Sequence, residues 1–182
     1  MPNPTLSLAS DTSTDTSTDT SIAGFDRSSS AIESLYDTDF YGWTQEQSQV
    51  LSSRAWSRLD LVHLIEEVES LGKQQRQELR SRLSIVLGHL LKWEFQPQCR
   101  SRSWLATLRI QRRDITRLLK DNPSLKPYLE QSVQDAYDNG RDLAMAETDL
   151  PGSRFPVESP YGFDMALDAL FYPGEPSDLT KD

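Results

Sequence analysis

Two sets of residues in this chain could do chemistry: carboxylates near imidazoles, and a row of guanidiniums. The segment His63-Leu-Ile-Glu66-Glu67-Val-Glu69 places an imidazole within one helical turn of two carboxylates, with Glu69 at the edge of an apolar stripe beside Ile65. Carboxylates and imidazoles projecting from facing helices are how helical bundles hold iron or manganese, and an open coordination position then permits hydrolytic or redox chemistry. The candidate ligand set is Glu66, Glu67, Glu69 and His89, taken as lying on neighbouring antiparallel helices. Iron, manganese or zinc would suit it. Against that set, the Glu-x-x-His pairs of di-iron bundles are absent and there are two histidines in all. The competing expectation is no cofactor: His89 bonds a glutamate or a backbone carbonyl at the edge of the core, and the glutamates pair with Arg80, Arg82 or Arg112.

The second set lies between Ser101 and Asp121. With a helical period of 3.6 residues, Arg102, Arg109, Arg113, Arg117 and Lys120 fall within one arc of about 80°, and Arg100 stands just ahead of it. Such a ridge suits an anionic partner, and a nucleic acid bound there would be released steeply by salt. No recognised nucleic-acid-binding motif accompanies it, and a solvated or internally paired basic face is the competing reading.

Other catalytic templates find no support. There is no Gly-x-Ser-x-Gly elbow, no His-Glu-x-x-His, no phosphate loop and no paired-glycine fingerprint, since the eight glycines stand singly. The single cysteine, Cys99, follows the break at Pro97 and precedes Arg100, but a lone cysteine is usually incidental.

These residues are positioned by elements that the pattern of apolar residues predicts to be helical throughout. Thr38 or Asp39 caps a first helix carrying Phe40, Trp43, Gln47, Val50 and Leu51 at helical spacing, and its aromatic residues would plug one end of a bundle. Asp60 caps a second, with Leu61, Leu64, Ile65, Val68 and Leu71 on one face and Gly72 placed to end it. A third runs from Lys73 to Phe95 on Leu79, Leu83, Val86, Leu87 and Leu90, and Pro97 stops it. A fourth, capped by Ser101 or Ser103, reaches Asp121 with Trp104, Leu105, Leu108, Ile115, Leu118 and Leu119 inward. A fifth starts at Ser124, tolerates Pro127 in its first turn, and turns Leu129, Val133, Ala136, Leu143 and Ala144 inward. The proline-rich segment from Leu150 to Pro160 should lie over the bundle with Phe155 as its anchor, ahead of a short helix over Phe163 to Leu170. No strand alternation of useful length appears. The fold class is therefore all-α, a bundle of four to five main helices with a disordered N-terminal leader.

The chain has 182 residues and a net charge of −9, enough for one domain with a real core. The charge is segregated: Lys73 to Lys126 hold 13 Lys and Arg against four acids, net +9, leaving 6 against 24 elsewhere, net −18. The repeat Ser10-Asp-Thr-Ser-Thr-Asp-Thr-Ser-Thr-Asp-Thr-Ser21 offers almost nothing apolar to bury, so residues 1–30 are expected to be a disordered Ser/Thr/Asp-rich leader, 31–172 the helical domain, and 173–182 a flexible tail. No run approaches the ~18 apolar residues of a membrane helix, and no signal peptide opens the chain, so the expected location is cytoplasmic, with no membrane partner. One cysteine and two histidines leave no structural zinc set.

With these residues laid out, the chain resembles the bacterial DUF29 family, a domain of unknown function. The resemblance spans Tyr36 to Tyr172 and rests on Tyr36-Asp-x-Asp-Phe with Trp43-Thr44, Leu64-x-Glu-Glu-x-Glu-x-Leu-Gly72, His89-Leu-Leu-Lys-Trp-x-x-Gln-Pro97, Arg100-Ser-x-Ser-Trp104 with Gln111-Arg112, and Leu150-Pro-x-x-x-Phe-Pro156. It implies a helical fold and brings no established activity with it. The sequence favours a small helical interaction module binding a protein partner. The alternatives are a metal-dependent enzyme using the Glu/His set and a nucleic-acid binder using the basic ridge.

Overall fold

The computed structural model describes residues 34–180, which contain helices, turns and loops and no strand. The fold is all-α, with four main helices. The chain divides into two compact units, residues 1–59 and 60–182, and the leader expected over residues 1–30 lies outside the described residues.

The first unit holds α1 (Leu35–Thr38) and α2 (Phe40–Ser52). Ser34 caps α1 by accepting from the Asp37 N–H, and Asp39 caps α2 by accepting from the Gly42 N–H at 2.9 Å, so each start satisfies an otherwise orphaned donor. Tyr36, Phe40 and Trp43 pack on one another with ring centroids 5.0–5.6 Å apart. Trp43, Gln47 and Val50, at i, i+4 and i+7, are the buried residues of α2.

The second unit is built on α3 (Leu61–Phe95), a single helix of 35 residues and so about 52 Å long. The sequence suggested two helices divided at Gly72, but no break occurs there. Gly72 does not take a left-handed conformation, and the Lys-Gln-Gln-Arg-Gln-Glu-Leu-Arg run after it is made of strong helix formers. An interior glycine costs only about 1 kcal/mol relative to alanine, too little to stop such a helix. Asp60 caps α3 through the His63 N–H, and Gln96 closes it ahead of the Pro97–Cys99 turn, as the proline predicts.

The helix α4 (Arg102–Asp121) starts where Ser101 Oγ accepts from the Trp104 N–H. A 3₁₀ turn over Pro123–Tyr128 replaces the expected start of the next helix at Ser124. Pro127 lacks the N–H that a helix would need, so α5 begins only at Leu129 and runs to Thr148. Asp149, in a left-handed conformation, ends it. A strap then crosses the bundle, containing the turn Gly152–Arg154 and the short α6 (Phe163–Leu167).

The core of this unit is the carboxyl-terminal half of α3 packed between α4 and α5. Leu79, Leu83, Val86, Leu87 and Leu90 are fully buried and meet Leu108 and Ile115 of α4 and Val133, Ala136 and Ala144 of α5. Two glycines set the α3–α5 approach: a Cβ on Gly140 would stand 2.8 Å from the Ser84 carbonyl oxygen, and one on Gly88 would stand 2.8 Å from that of Gly140. Phe155 anchors the strap as expected, its ring 5.4 Å from that of Phe95, and Tyr161, Phe163 and Ala166 are buried with it.

Candidate functional site

The proposed metal ligands are not brought together. Because α3 is one helix, Glu66, Glu67 and Glu69 lie 20 to 23 residues from His89, roughly 30 to 35 Å along the same axis. Glu69 pairs with Lys73 at 3.5 Å one turn on, and His63 is held by Asp60 at 2.7 Å. Among the described residues no group of three or more His, Cys, Asp or Glu stands where it could hold a metal ion.

His89 instead occupies the edge of the core, 8% exposed, with Nδ1 3.0 Å from the Ile85 carbonyl oxygen. A carbonyl only accepts, so Nδ1 carries the proton and Nε2 is the basic nitrogen. Burial, and then the positive charge of Lys92, hold its pKa below the usual histidine value. It is a neutral core histidine near pH 7.

The polar residues of the family-like motifs form a clasp that ties α3 to α4 and α5 and grips the strap. Lys92, 1% exposed, bonds Glu147 of α5 and lies 4.3 Å from the Trp104 ring centroid, so its charge is met from both sides. Gln96 donates to the Thr148 carbonyl at 3.0 Å. Arg112 is 4% exposed and donates from Nε to the Ala166 carbonyl and from Nη2 to that of Phe171, both at 2.8 Å. Arg100 donates to the carbonyls of Trp93, Glu175 and Pro173 at 2.8, 2.6 and 3.3 Å. These bonds reach the first residues of the tail, as far as Glu175. Tyr161 donates to Glu94, and burial together with that carboxylate raises its pKa. Arg100 thus grips the tail, and Arg112 bonds strap carbonyls with no glutamate at its guanidinium among the described residues. The signal for Arg112 was present: it stands between Leu108 and Ile115 in the inward row of α4.

The ridge of Arg102, Arg109, Arg113, Arg117 and Lys120 is exposed along its whole length, and its surroundings divide it. At the far end Arg117 shares a depression with Asp114, Asp121, Glu78 and Arg82, where Arg82 already bridges Glu78 and Asp114 at 2.9 and 3.0 Å. Toward the start of α4 the setting is basic and apolar. Arg109, Arg112, Arg113 and Thr116 line a groove of about 560 Å³ with Leu167 and Leu170, and Leu170 is 88% exposed. Beside it Arg102, Arg109, Leu105 and Ile110 line a groove of about 330 Å³ whose other wall is Asp178 and Leu179 of the tail.

The fold and this surface define a small helical domain closed by a clasped carboxyl-terminal strap, with a basic, partly apolar face on α4. The DUF29 family, a domain of unknown function, matches residues 35–172, and the chain belongs to it. No curated protein and no solved structure matches the chain. No helix among the described residues is long and apolar enough to cross a membrane.

Proposed function

We propose that the protein is a cytoplasmic interaction module whose α4 face docks a protein segment carrying acidic side chains next to apolar ones. One observation carries this: the basic row at Arg102, Arg109 and Arg113 shares its grooves with Leu105, Ile110, Leu167 and Leu170. A bare phosphate backbone would use the guanidiniums and leave Ile110 and Leu170 wet. A protein segment of mixed character uses both, the apolar contacts adding about 25 cal/mol per Å² covered and each exposed ion pair up to about 1 kcal/mol. The tail supports the same chemistry, since it lays an acid followed by a leucine, Asp178 and Leu179, against this row. Net −9 over the whole chain disfavours a polyanion of the length of a nucleic acid.

Photo-crosslinking from position 110 in cells tests the proposal, because Ile110 is 43% exposed in the middle of the face. The expected outcome is a discrete protein adduct, lost when Arg109→Glu and Arg113→Glu are introduced together. Fluorescence anisotropy with a labelled oligonucleotide should show no binding at physiological salt. An oligonucleotide affinity falling log-linearly with salt and abolished by the same two substitutions would replace this function with nucleic-acid binding.

A further inference from the structure

Within the second unit, a second face, independent of the one on α4, is left open by the length of α3. The residues Leu61, Leu64, Val68, Leu71, Gln75, Leu79, Leu83, Val86 and Leu90 follow one another at three- and four-residue steps and form one seam along the helix. Its two halves meet different fates. Ten residues from Leu79 to Trp93 are buried, whereas none from Leu61 to Glu78 is. In that first half Leu61, Val62, Ile65, Val68 and Leu71 are 56, 67, 50, 62 and 60% exposed. Single exposed apolar side chains such as Val62 are ordinary, but Leu61, Ile65, Val68 and Leu71 share one side of the helix and mark a surface that something covers.

We propose that the cover is a second copy of the same helix half, laid antiparallel. The seam is its own complement in that direction. Antiparallel pairing that sets Val68 level with Leu71 of the other copy also sets Leu64 level with Gln75, and brings Ile65 against Gly72, with the two-fold axis between Glu69 and Ser70. Gly72 fits this arrangement: a Cβ there would meet nothing within 4 Å, so the position is open to a neighbouring backbone and to the Ile65 side chain of the other copy. Charge selects the same direction. Glu66, Glu67 and Glu69 precede the axis, and Lys73 and Arg76 follow it. Antiparallel copies set the acidic half of each beside the basic half of the other, while parallel copies set like beside like. Each of the four side chains on that side exposes roughly 100 Å² of apolar surface, so the pair covers on the order of 800 Å², the size of a weak, transient interface. The dimer is therefore weak and reversible.

Sedimentation velocity of the full chain over a broad concentration series tests this. A monomer–dimer equilibrium is expected, weakened by about tenfold or more in Val68→Asp. Because Val68 is exposed in the single chain, the helical circular dichroism of that variant should be unchanged. Orientation is read separately, in chains where the exposed Cys99 carries Cys99→Ser. Val68→Cys combined with Leu71→Cys should give an oxidised dimer efficiently, and Val68→Cys alone should not. A chain monomeric at every concentration, or a dimer indifferent to Val68→Asp, overturns the proposal. Efficient cross-linking by Val68→Cys alone overturns the antiparallel arrangement. Loss of the dimer on removing residues 1–33, with Val68→Asp silent, would assign association to that segment instead.

Discussion

At the scale of single residues, the chain places its most reactive-looking groups where they bear load. His89 is held neutral by burial and by the charge of Lys92, and that has a thermodynamic sign. Its folded pKa lies below its unfolded value of about 6.5, so as pH falls through that value the unfolded state takes up protons sooner and stability is lost. The expected outcome is that His89→Gln, whose amide can still donate to the Ile85 carbonyl, loses less stability than the parent between pH 7.5 and pH 5.5. Urea denaturation of both proteins at the two values checks it, and equal losses would mean that His89 does not carry the effect. The sequence allowed this outcome alongside the metal site. What it could not supply was the distance between His89 and the glutamates, because that depended on whether Gly72 ends a helix.

At the scale of elements, caps and stops were legible and continuity was not. Asp60 and Pro97 act where the sequence placed them, and Asp39 and Ser101 are each one of the two caps it offered, since capping and proline effects are local. Gly72 was misread because a glycine ends a helix only when the next residues agree to stop. Gly140 was passed over for the opposite reason: its meaning is tertiary, lying in the close crossing of α5 over α3. Alanine is the better helix former by about 1 kcal/mol, yet Gly140→Ala should destabilise the protein by about 1 to 3 kcal/mol, because the new methyl meets the Ser84 carbonyl and α5 must lift from α3. Thermal melting monitored by circular dichroism distinguishes the two signs. At Gly174 the constraint is conformational, since its φ of 80° turns the tail back beneath Arg100.

On the scale of the whole molecule, the bundle and its strap are one structure held by buried cations. Arg112 should be hard to replace. Arg112→Met removes two bonds from a charged donor to strap carbonyls, each contributing about 1.5 to 3 kcal/mol, and should cost about 3 kcal/mol or more. Arg112→Lys should recover only part of this, because a single ammonium cannot serve the Ala166 and Phe171 carbonyls with the geometry of a planar fork. Urea denaturation gives the magnitudes, and limited proteolysis after Arg154 should report strap release in Arg112→Met before global unfolding. Cutting no faster than in the parent would mean that the strap stays in place without that grip. The strap's course over the bundle was foreseen from its prolines and Phe155. The clasp was not: Arg112 was offered only as a partner for glutamates although it stands in the inward row of α4, and Lys92, off the apolar stripe of α3, is buried only because that end of the helix is covered on all sides.

The clasp has one further property. Arg100, Arg112, Gln96, Arg141 and Tyr137 all donate to main-chain oxygens of the strap or of the segments that flank it, and every amino acid supplies the same carbonyl. The binding of the strap is thus blind to most of its spelling and asks mainly for Phe155, Tyr161, Phe163 and Ala166 underneath. Between those anchors, at the 80% exposed Val157 and its neighbour Glu158, the molecule offers a display site where foreign text, an epitope or a dye-bearing residue, can be written without disturbing the helices below.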